Sequence, residues 1–384
     1  MPVHFSPAEM SARKSRLLAA MGEARLDGLL LFAQESMYWL TGYDTFGFCF
    51  FQCLYVGADG RVALLTRSAD LRQAQRTSNI ADIRIWRDAG DAEPTRDCAA
   101  MLADLGARGR LGVEYDSYGL TAFQGRRLDA ALAGRFELSD ASRLVPRLRV
   151  TKSAEEIACV REAARLSDLA DAAAVAATRA GADEGDILAA QHNAIFSAGG
   201  DYPGNEFIIG SGGDALLCRY KSGRRKLDAN DQITLEFAGV WRHYHAAIMR
   251  THVVGATKPL HRAYHAAAKE ALLACEAELR PGRTAGDVYA AHARVFDAHG
   301  LSQHRLNACG YSLGAKFTPS WMDPPMFYAN NDWVIAEDQV YFAHMILMDS
   351  ASETALCLGR TYLVGASRAE PLNAPDLDLV VKAG

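Results

Sequence analysis

The chain has 384 residues, 49% of them hydrophobic, and a formal net charge of −5 at pH 7. This length predicts about two domains with well-formed cores, and the acidic balance argues against a nucleic-acid-binding protein. No apolar run approaches the roughly 20 residues of a membrane span, and the start of the chain does not have the pattern of a secretory signal. The eight cysteines form no CxxC pair. We therefore expect a cytoplasmic protein with reduced thiols and no membrane partner.

The first 150 residues alternate strand and helix patterns. An amphipathic helix pattern comes first, and strands are predicted at the short apolar runs LDGLLLF, QCLYVGA, RVALLT and DIRIWR. Helical periodicity follows in TRDCAAMLADLGA and TAFQGRRLDAALA. This alternation predicts an α/β domain with a covered sheet at residues 1–150.

A second domain is predicted at residues 151–384. Ser153 and Glu156 form a capping-box signature, which predicts the start of a long alanine-rich helix that ends at Gly181. Further helices are predicted at about residues 184–198, 260–279 and 284–299. Apolar strand patterns lie before and after the last two helices. This order predicts an α+β domain in which helices cover one face of a curved antiparallel sheet.

The stretch LEFAGVWRHYHAAIMRT, residues 235–251, is typical of two strands joined by a turn, which we place at Gly239. Glu236 lies between Leu235 and Phe237, so strand alternation turns its side chain away from theirs. A carboxyl group that faces an apolar concave site has a raised pKa. The stretch therefore indicates a functional carboxyl group at Glu236.

Several stretches resemble the creatinase/prolidase/methionine-aminopeptidase superfamily, and they look closest to its metal-free, ectoine hydrolase-like members. These stretches are MYWLTGYDTFGFCFFQC, GGDYPG, EFAGVWRHYHAAIMRT and ACGYSLGAKFTPSW. The resemblance implies a creatinase-type α/β N-terminal domain followed by a pita-bread domain with a curved antiparallel sheet.

Metal-dependent members of this superfamily hold two metal ions with two Asp, one His and two Glu. The positions that match those ligands in this sequence are Glu236, Ala247, Tyr311, His344 and Gly359. Small oxygen-bound metal ions need several anionic ligands, and only one of the five positions keeps a carboxyl group. The resemblance therefore implies a site with no metal and no other cofactor.

Two departures from the metal-free members concern the substrate. Arg219 stands where those members carry a catalytic histidine; a guanidinium group cannot act as a base, but it can bind a carboxylate. Cys357 stands where ectoine hydrolase-like members carry an acid. Both departures leave open a paralogue that acts on another substrate.

The candidate site residues fall into two sets. Glu236 is the predicted catalytic carboxyl group, and His245 and His344 are the candidates to move protons. A structural, hydrogen-bonding role is the alternative for His245, and ordinary core packing is the alternative for His344. The predicted substrate-binding residues are Tyr43, Phe48, Gln52, Asp201, Tyr202, Arg219, Trp241, Tyr311 and Trp321. The aromatic members would form a cage for a cationic or zwitterionic ligand, although ordinary packing is the alternative for any single one. The charge run KSGRRK, residues 221–226, is predicted to be a solvated hairpin tip.

The resemblance and these residues together imply a metal-independent hydrolase of a non-peptide C–N bond in a small amidine, guanidine or cyclic amide, and the resemblance makes ectoine or a close analogue the leading substrate. Glu236 would either attack carbon or activate water. The alternatives are a prolidase-like Xaa-Pro metallopeptidase and a non-catalytic small-molecule-binding paralogue. The resemblance also implies a homodimer in which the apolar segment Trp39–Cys53 covers the partner's pocket.

Overall fold

The structure is a computed structural model that describes residues 3–219 and 225–384. The chain divides into two compact units, residues 1–149 and 150–384. Most of the predicted hairpin tip at residues 221–226 lies outside the described residues. No helix in the described part of the chain has the length and hydropathy of a membrane span.

The first unit is a six-stranded sheet with helices on both faces. Its strands are β1 (Gly28–Leu31), β2 (Cys53–Gly57), β3 (Val62–Arg67), β4 (Asp82–Trp86), β5 (Arg110–Val113) and β6 (Glu137–Asp140), in the order β4-β3-β2-β1-β5-β6. Its helices are α1 (Pro7–Glu23), α2 (Gln34–Thr41), α3 (Leu71–Thr77), α4 (Pro94–Asp104), α5 (Ala122–Leu132) and α6 (Leu144–Arg149). One core lies between the sheet and α4 and α5, and the other lies under α1, α2, α3 and α6. The predicted α/β domain is confirmed.

In its described residues, the second unit contains a nine-stranded sheet and four helices. The helices are α7 (Ala154–Ala177), α8 (Glu184–Ser197), α9 (Pro259–Glu278) and α10 (Ala285–Ala298). The strands are β7 (Ile208–Ser211), β8 (Asp231–Trp241), β9 (Tyr244–Val254), β10 (Ala308–Ser312), β11 (Asp323–Tyr328), β12 (Val340–Asp349), β13 (Thr354–Val364), β14 (Ala369–Pro371) and β15 (Val380–Lys382). The main path is β11-β10-β12-β13-β9-β8-β7, with β14 on β13 and β15 on β9.

The helix that opens this unit begins as the sequence predicts. The Ser153 hydroxyl accepts from the Glu156 backbone N–H, and the Glu156 carboxylate accepts from the Ser153 N–H, which completes the capping box. The helix ends earlier than predicted, at Ala177, with Thr178 as its C-cap. Gly181 instead adopts a φ of 75° in the turn that follows.

The hairpin of β8 and β9 corrects the predicted turn at Gly239. β8 continues through Gly239 to Trp241, and the turn is formed by Arg242 and His243, whose φ angles are 50° and 66°. Positive φ at both central residues is the geometry of a tight two-residue hairpin. Gly239 is needed for a different reason: a Cβ there would lie 2.1 Å from the Ala163 carbonyl oxygen of α7.

Hydroxyl side chains bridge β9 and β13, the strands at which the two halves of this sheet meet. Only Arg250 with Leu358 and Met249 with Gly359 pair directly. On one side of these pairs the Thr361 hydroxyl accepts from the Ala247 N–H and donates to its carbonyl oxygen. On the other side, the Cys357 N–H donates to the Thr251 hydroxyl, 2.8 Å away. The backbones are therefore held slightly apart in the middle of the sheet.

Candidate functional site

Four residues lie side by side across the centre of the second sheet. Glu236 on β8 pairs with Met249 on β9, Met249 with Gly359 on β13, and Gly359 with His344 on β12. Directly paired residues point to the same face, and Gly239, three residues along β8, faces α7. The row therefore lies on the face opposite to the helices. The predicted orientation of Glu236 is confirmed.

The carboxyl group of Glu236 is held by a chain of two hydrogen bonds. Tyr311 on β10 donates its hydroxyl proton to Glu236 Oε1 over 3.0 Å, and Trp321 Nε1 donates to the Tyr311 oxygen over 2.8 Å. Burial raises the pKa of Glu236 to about 7, while the Tyr311 hydrogen bond and the nearby Arg219 charge partly offset that rise. Glu236 is therefore a carboxyl group that can gain or lose a proton near neutral pH.

His344 lies at the other end of the row. Burial, and next the positive charge of Arg219, lower the pKa of His344 to about 4, so the imidazole is neutral at pH 7. Its Nδ1 atom is buried and has no hydrogen-bond partner among the described residues. Its ring centroid lies 5.7 Å from that of Tyr311. His344 is therefore a neutral group with an unused polar atom beside the Glu236 hydrogen-bond chain.

Gly359 lies against the β12 strand at His344. A Cβ at position 359 would lie 2.8 Å from the Ala343 carbonyl oxygen and 3.0 Å from the Cα and Cβ of His344. A side chain at position 359 would therefore clash with the β12 backbone, whichever side chain stands at position 344.

Arg219, Cys218 and Cys357 surround the Glu236 end of the row. Arg219 is exposed, its guanidinium lies 3.6 Å from the sulfur of Met322, and it forms no ion pair with a carboxylate in the described part of the chain. Burial raises the pKa of the Cys218 thiol, and the neighbouring charge of Glu236 raises it further. The pKa of Cys357 is raised well above its ordinary value for the same two kinds of reason.

His245 is a structural residue, which corrects the prediction that it moves protons. Its Nε2 accepts from the Gly204 backbone N–H over 2.8 Å, and its Nδ1 lies 3.4 Å from the Gly314 carbonyl oxygen. Burial lowers the pKa of His245 to about 3. Since both ring nitrogens are occupied by backbone groups, the neutral ring anchors two loops and has no free atom for catalysis.

Trp241 lies on the wrong face for the predicted substrate contact. It packs with the alanines Ala163, Ala164 and Ala246, on the side of the sheet that faces α7. The Gly239 turn placed Trp241 and Glu236 on different strands, whereas the continuous β8 gives them opposite orientations. Trp241 is therefore a packing residue of the helical layer.

The loop that contains Asp201 and Tyr202 runs beside Trp321. The Asp201 N–H bonds to the Val240 carbonyl oxygen, and the Trp321 N–H bonds to the Asn205 side chain. The Tyr202 ring is 80% exposed and lies 4.9 Å from the ring of Phe196. These contacts shape the loop, and substrate contact by Asp201 or Tyr202 stays a prediction.

Tyr43 and Gln52 belong to the interior of the first unit. The Tyr43 hydroxyl bonds to Gln52 Oε1 and Thr66, and Gln52 Nε2 donates to Gln34 Oε1. Both residues are fully buried. The prediction that they contact a substrate is corrected, because this internal network already uses their polar groups. Phe48 is partly buried in a short 3₁₀ segment of the same unit, Gly47–Cys49.

Sequence reasoning missed two side chains on the Glu236 face. Thr234 lies two residues before Glu236 on β8, so strand alternation alone could have placed it there. Cys218 lies next to Glu236 in space but is separated from it by a loop, and no sequence pattern indicates that contact. Both residues border the buried thiol of Cys357.

Comparison with known proteins identifies the family. The model of metallopeptidase family M24 matches residues 158–367, and the creatinase/prolidase N-terminal domain matches residues 13–151. The chain belongs to metallopeptidase family M24. This confirms the resemblance and the creatinase-type and pita-bread fold, and it places the chain among hydrolases.

Three relatives illustrate the range of this family. The chain is 29% identical to an uncharacterized hydrolase/peptidase, y4tM, of Sinorhizobium fredii over 99% of both chains. It is 25% identical to the ectoine hydrolase of Halomonas elongata over 89% of both. The structure of an Xaa-Pro dipeptidase from Bacillus anthracis matches with a TM-score of 0.84 at 20% identity, covering 97% of this chain and 99% of the other. The last comparison concerns the fold alone.

The residues of the row do not fit the metal centre that the family name implies. The row offers one carboxyl group and one imidazole, Glu236 and His344, because Met249 and Gly359 occupy the two positions between them. Within residues 3–219 and 225–384 no group of three or more His, Cys, Asp or Glu side chains could hold a metal ion. One oxygen of Glu236 is also already bonded to Tyr311.

Proposed function

We propose that this M24 protein is a metal-independent hydrolase of a non-peptide C–N bond in a small amidine, guanidine or cyclic amide. The observation that carries the proposal is the isolated, buried carboxyl group of Glu236, whose pKa is raised to about 7. A general base works best when its pKa lies near the working pH. The donor set around it is too small for a pair of metal ions.

The proposed reaction uses Glu236 as a general base and then as a general acid. Ionised Glu236 takes a proton from water as the water oxygen bonds to the substrate carbon. The same proton then passes to the substrate nitrogen as the C–N bond breaks. Atoms and charge balance without a further reactant, and Glu236 returns to its starting state. The unpartnered Nδ1 of His344 is available to hydrogen-bond to the substrate or the water.

The substrate we propose is a zwitterion with a carboxylate and a delocalised cation. Arg219 has no carboxylate partner among the described residues, and a guanidinium group binds a carboxylate through two parallel hydrogen bonds. Trp321 and Tyr311 add aromatic surface beside Glu236, which suits a flat cation. Ectoine, the substrate in the name of the Halomonas elongata relative, has both groups and is the leading candidate.

A second candidate is an Xaa-Pro dipeptidase, the activity named for the Bacillus anthracis structure. The name of the metallopeptidase family favours this activity. The one carboxyl group and one imidazole of the row do not favour it, because they are too few ligands for a metal centre. A non-catalytic binding protein is the third reading, favoured by the replacement of a catalytic histidine with Arg219.

A substrate panel tests the proposal. The purified protein is incubated with ectoine, creatine and Xaa-Pro dipeptides, with EDTA or with added Mn²⁺, and the products are measured by chromatography. Thermal-shift measurements on the same panel detect ligands that bind the folded state. We expect turnover of an amidine or guanidine substrate that EDTA leaves unchanged. Turnover of dipeptides alone would overturn the proposal, and so would binding of an amidine without turnover.

A further inference from the structure

Three buried polar side chains of the second unit form a chain of hydrogen bonds that ends at Glu236, and each side chain in it donates to the next. Trp321 Nε1 lies 2.8 Å from the Tyr311 hydroxyl oxygen, which lies 3.0 Å from Glu236 Oε1. All three side chains are buried. No hydrogen-bond partner for Glu236 Oε2 is found in the described part of the chain.

The chemistry of the donors fixes the direction of this chain. An indole N–H can only donate, so the Tyr311 oxygen must be the acceptor in its bond with Trp321. The one proton of the Tyr311 hydroxyl is donated to Glu236, and Oε1 accepts it. When Glu236 is protonated, its own proton therefore lies on Oε2. The two oxygens of one carboxyl group have become inequivalent.

We propose that Trp321 and Tyr311 are positioning residues that reserve Oε1 of Glu236 as a hydrogen-bond acceptor and leave Oε2 as the oxygen that transfers the proton. This inference rests on the proposed function for the meaning of that proton, while the hydrogen-bond chain itself does not depend on any substrate. It adds a second role to the predicted substrate contact of both aromatic residues.

Packing alone does not account for the Tyr311 hydroxyl. The ring already contacts Phe342 and His344, with centroid distances of 5.5 Å and 5.7 Å, and a phenylalanine would keep those contacts. The hydroxyl adds one function, which is to favour the ionised form of Glu236 against the effect of burial. Trp321 strengthens that bond, because an N–H that donates to the Tyr311 oxygen makes its hydroxyl a better donor.

The test is the pH profile of kcat/KM for Tyr311→Phe, Trp321→Phe and the double variant. Without the hydroxyl, ionised Glu236 is less favoured, so the acidic limb of Tyr311→Phe should move up by roughly 1 to 2 pH units. Trp321→Phe should move the limb in the same direction by less. If Trp321 acts through Tyr311, the double variant should match Tyr311→Phe, whereas independent structural effects would add.

Tyr341→Phe is the matched control. It also removes a buried tyrosine hydroxyl, one that bonds to Gln339 on the opposite face of the sheet. We expect this variant to lose some stability and to keep the wild-type pH limb. A limb that stays in place in Tyr311→Phe, or that moves equally in Tyr341→Phe, would overturn the inference. If Tyr311→Phe does not fold, the position of the limb in Trp321→Phe decides alone.

Infrared difference spectra separate this inference from the proposed function. The protonated-carboxyl band of Glu236 is obtained by subtracting the spectrum of Glu236→Gln and is followed against pH without any substrate. We expect the band to persist to higher pH in Tyr311→Phe than in the wild type. Identical titrations in the two proteins would refute the positioning role, even if the enzyme hydrolyses its substrate. A shifted titration would support the role even if no C–N substrate is turned over.

Discussion

Glu236 is a residue at which burial and ionisation conflict. Glu236 is 8% exposed. Its carboxyl group accepts one hydrogen bond, whereas an ionised carboxylate could accept several. Burial therefore favours the protonated form in the folded state, so the free energy of unfolding falls as the pH rises from about 4.5 toward 7, where the carboxyl group ionises in the unfolded state first. A group kept at this energetic cost is a candidate for function.

Glu236→Gln should separate stability from activity. Because the folded-state pKa is raised, the stabilising contribution of the carboxyl group is complete at low pH and is lost as the pH rises through about 7. The variant has no such loss, so at pH 8 it should be more stable than the wild type by on the order of 2 to 3 kcal/mol. Urea denaturation at pH 4.5 and pH 8 measures this difference. A constant difference across that range would contradict the raised pKa.

The same variant should lose turnover by several orders of magnitude, because an amide cannot take a proton from water. In the wild type, kcat/KM should rise with pH around an apparent pKa near 7, the value for Glu236 in the free enzyme. The control is Glu270→Gln. It neutralises an exposed carboxylate on α9, which pairs with His299. We expect full activity in the control, and full activity in Glu236→Gln would exclude Glu236 as the base.

His344→Ala should lower kcat by roughly 10²- to 10⁴-fold, the range for one acid–base group. The variant removes an imidazole with a free Nδ1 and leaves the adjacent Gly359 unchanged. His299→Ala is the control, because that ring is exposed and lies on α10's C-terminal cap. Steady-state kinetics measure both variants. An unaltered kcat in His344→Ala would show that the imidazole only fills space.

At the scale of single elements, alternation and capping signals were the most reliable guides. The capping box of α7 and the part of β8 before Gly239 follow from local pattern. The missed helix α2 is buried on nearly every side, so it has no polar face and no amphipathic periodicity. The missed strand β11 begins Asp-Pro-Pro, a poor strand sequence.

The wrong turn at Gly239 has an instructive cause. A glycine in a strand pattern indicates either a turn or a close approach of another backbone, and the sequence does not separate the two. Here α7 approaches β8, and the Ser167 hydroxyl accepts from the Gly239 N–H over 2.8 Å. The packing of Gly239 against α7 depends on Ser167, which is 72 residues away in the sequence, so the local pattern could not show it.

Gly239→Ala should therefore destabilise the protein strongly. The added methyl group would lie 2.1 Å from the Ala163 oxygen and 2.4 Å from the Ser167 nitrogen, so α7 or β8 must move. We expect a loss of roughly 1 to 3 kcal/mol or more in the free energy of unfolding. Gly213→Ala is the control, since nothing lies within 4 Å of its added Cβ. Urea denaturation compares them, and equal stabilities would disprove the close packing of α7 on β8.

At the scale of the whole molecule, the family resemblance predicted the two-part fold, and composition alone could not have done so. The site was harder to predict. Tyr311 and His344 lie on the neighbouring strands β10 and β12, whereas Glu236 lies on β8, which β13 and β9 separate from β12. The Tyr311–Glu236 hydrogen bond therefore joins strands that are not adjacent in the sheet. The role of His245 was misread because its partners, Gly204 and Gly314, lie 41 and 69 residues away in the sequence.

The homodimer implied by the resemblance stays a prediction. Phe46 in the segment Trp39–Cys53 is 81% exposed, which is unusual for a large apolar side chain. Light scattering should give twice the chain mass of 41.7 kDa at micromolar concentration. Phe46→Asp should weaken the dimer, while Tyr118→Asp, at a 68% exposed aromatic residue of the same unit, should not. A stable wild-type monomer would rule the dimer out.

The most direct test of the central claim is turnover by protein stripped of metal ions. The protein is treated with a chelator, its residual metal content is measured by elemental analysis, and hydrolysis of the best amidine or guanidine substrate is followed. With Glu236 as the general base and one carboxyl group in the row, we expect full activity at less than stoichiometric metal. Activity that disappears with the metal and returns with added Mn²⁺ or Zn²⁺ would contradict the account.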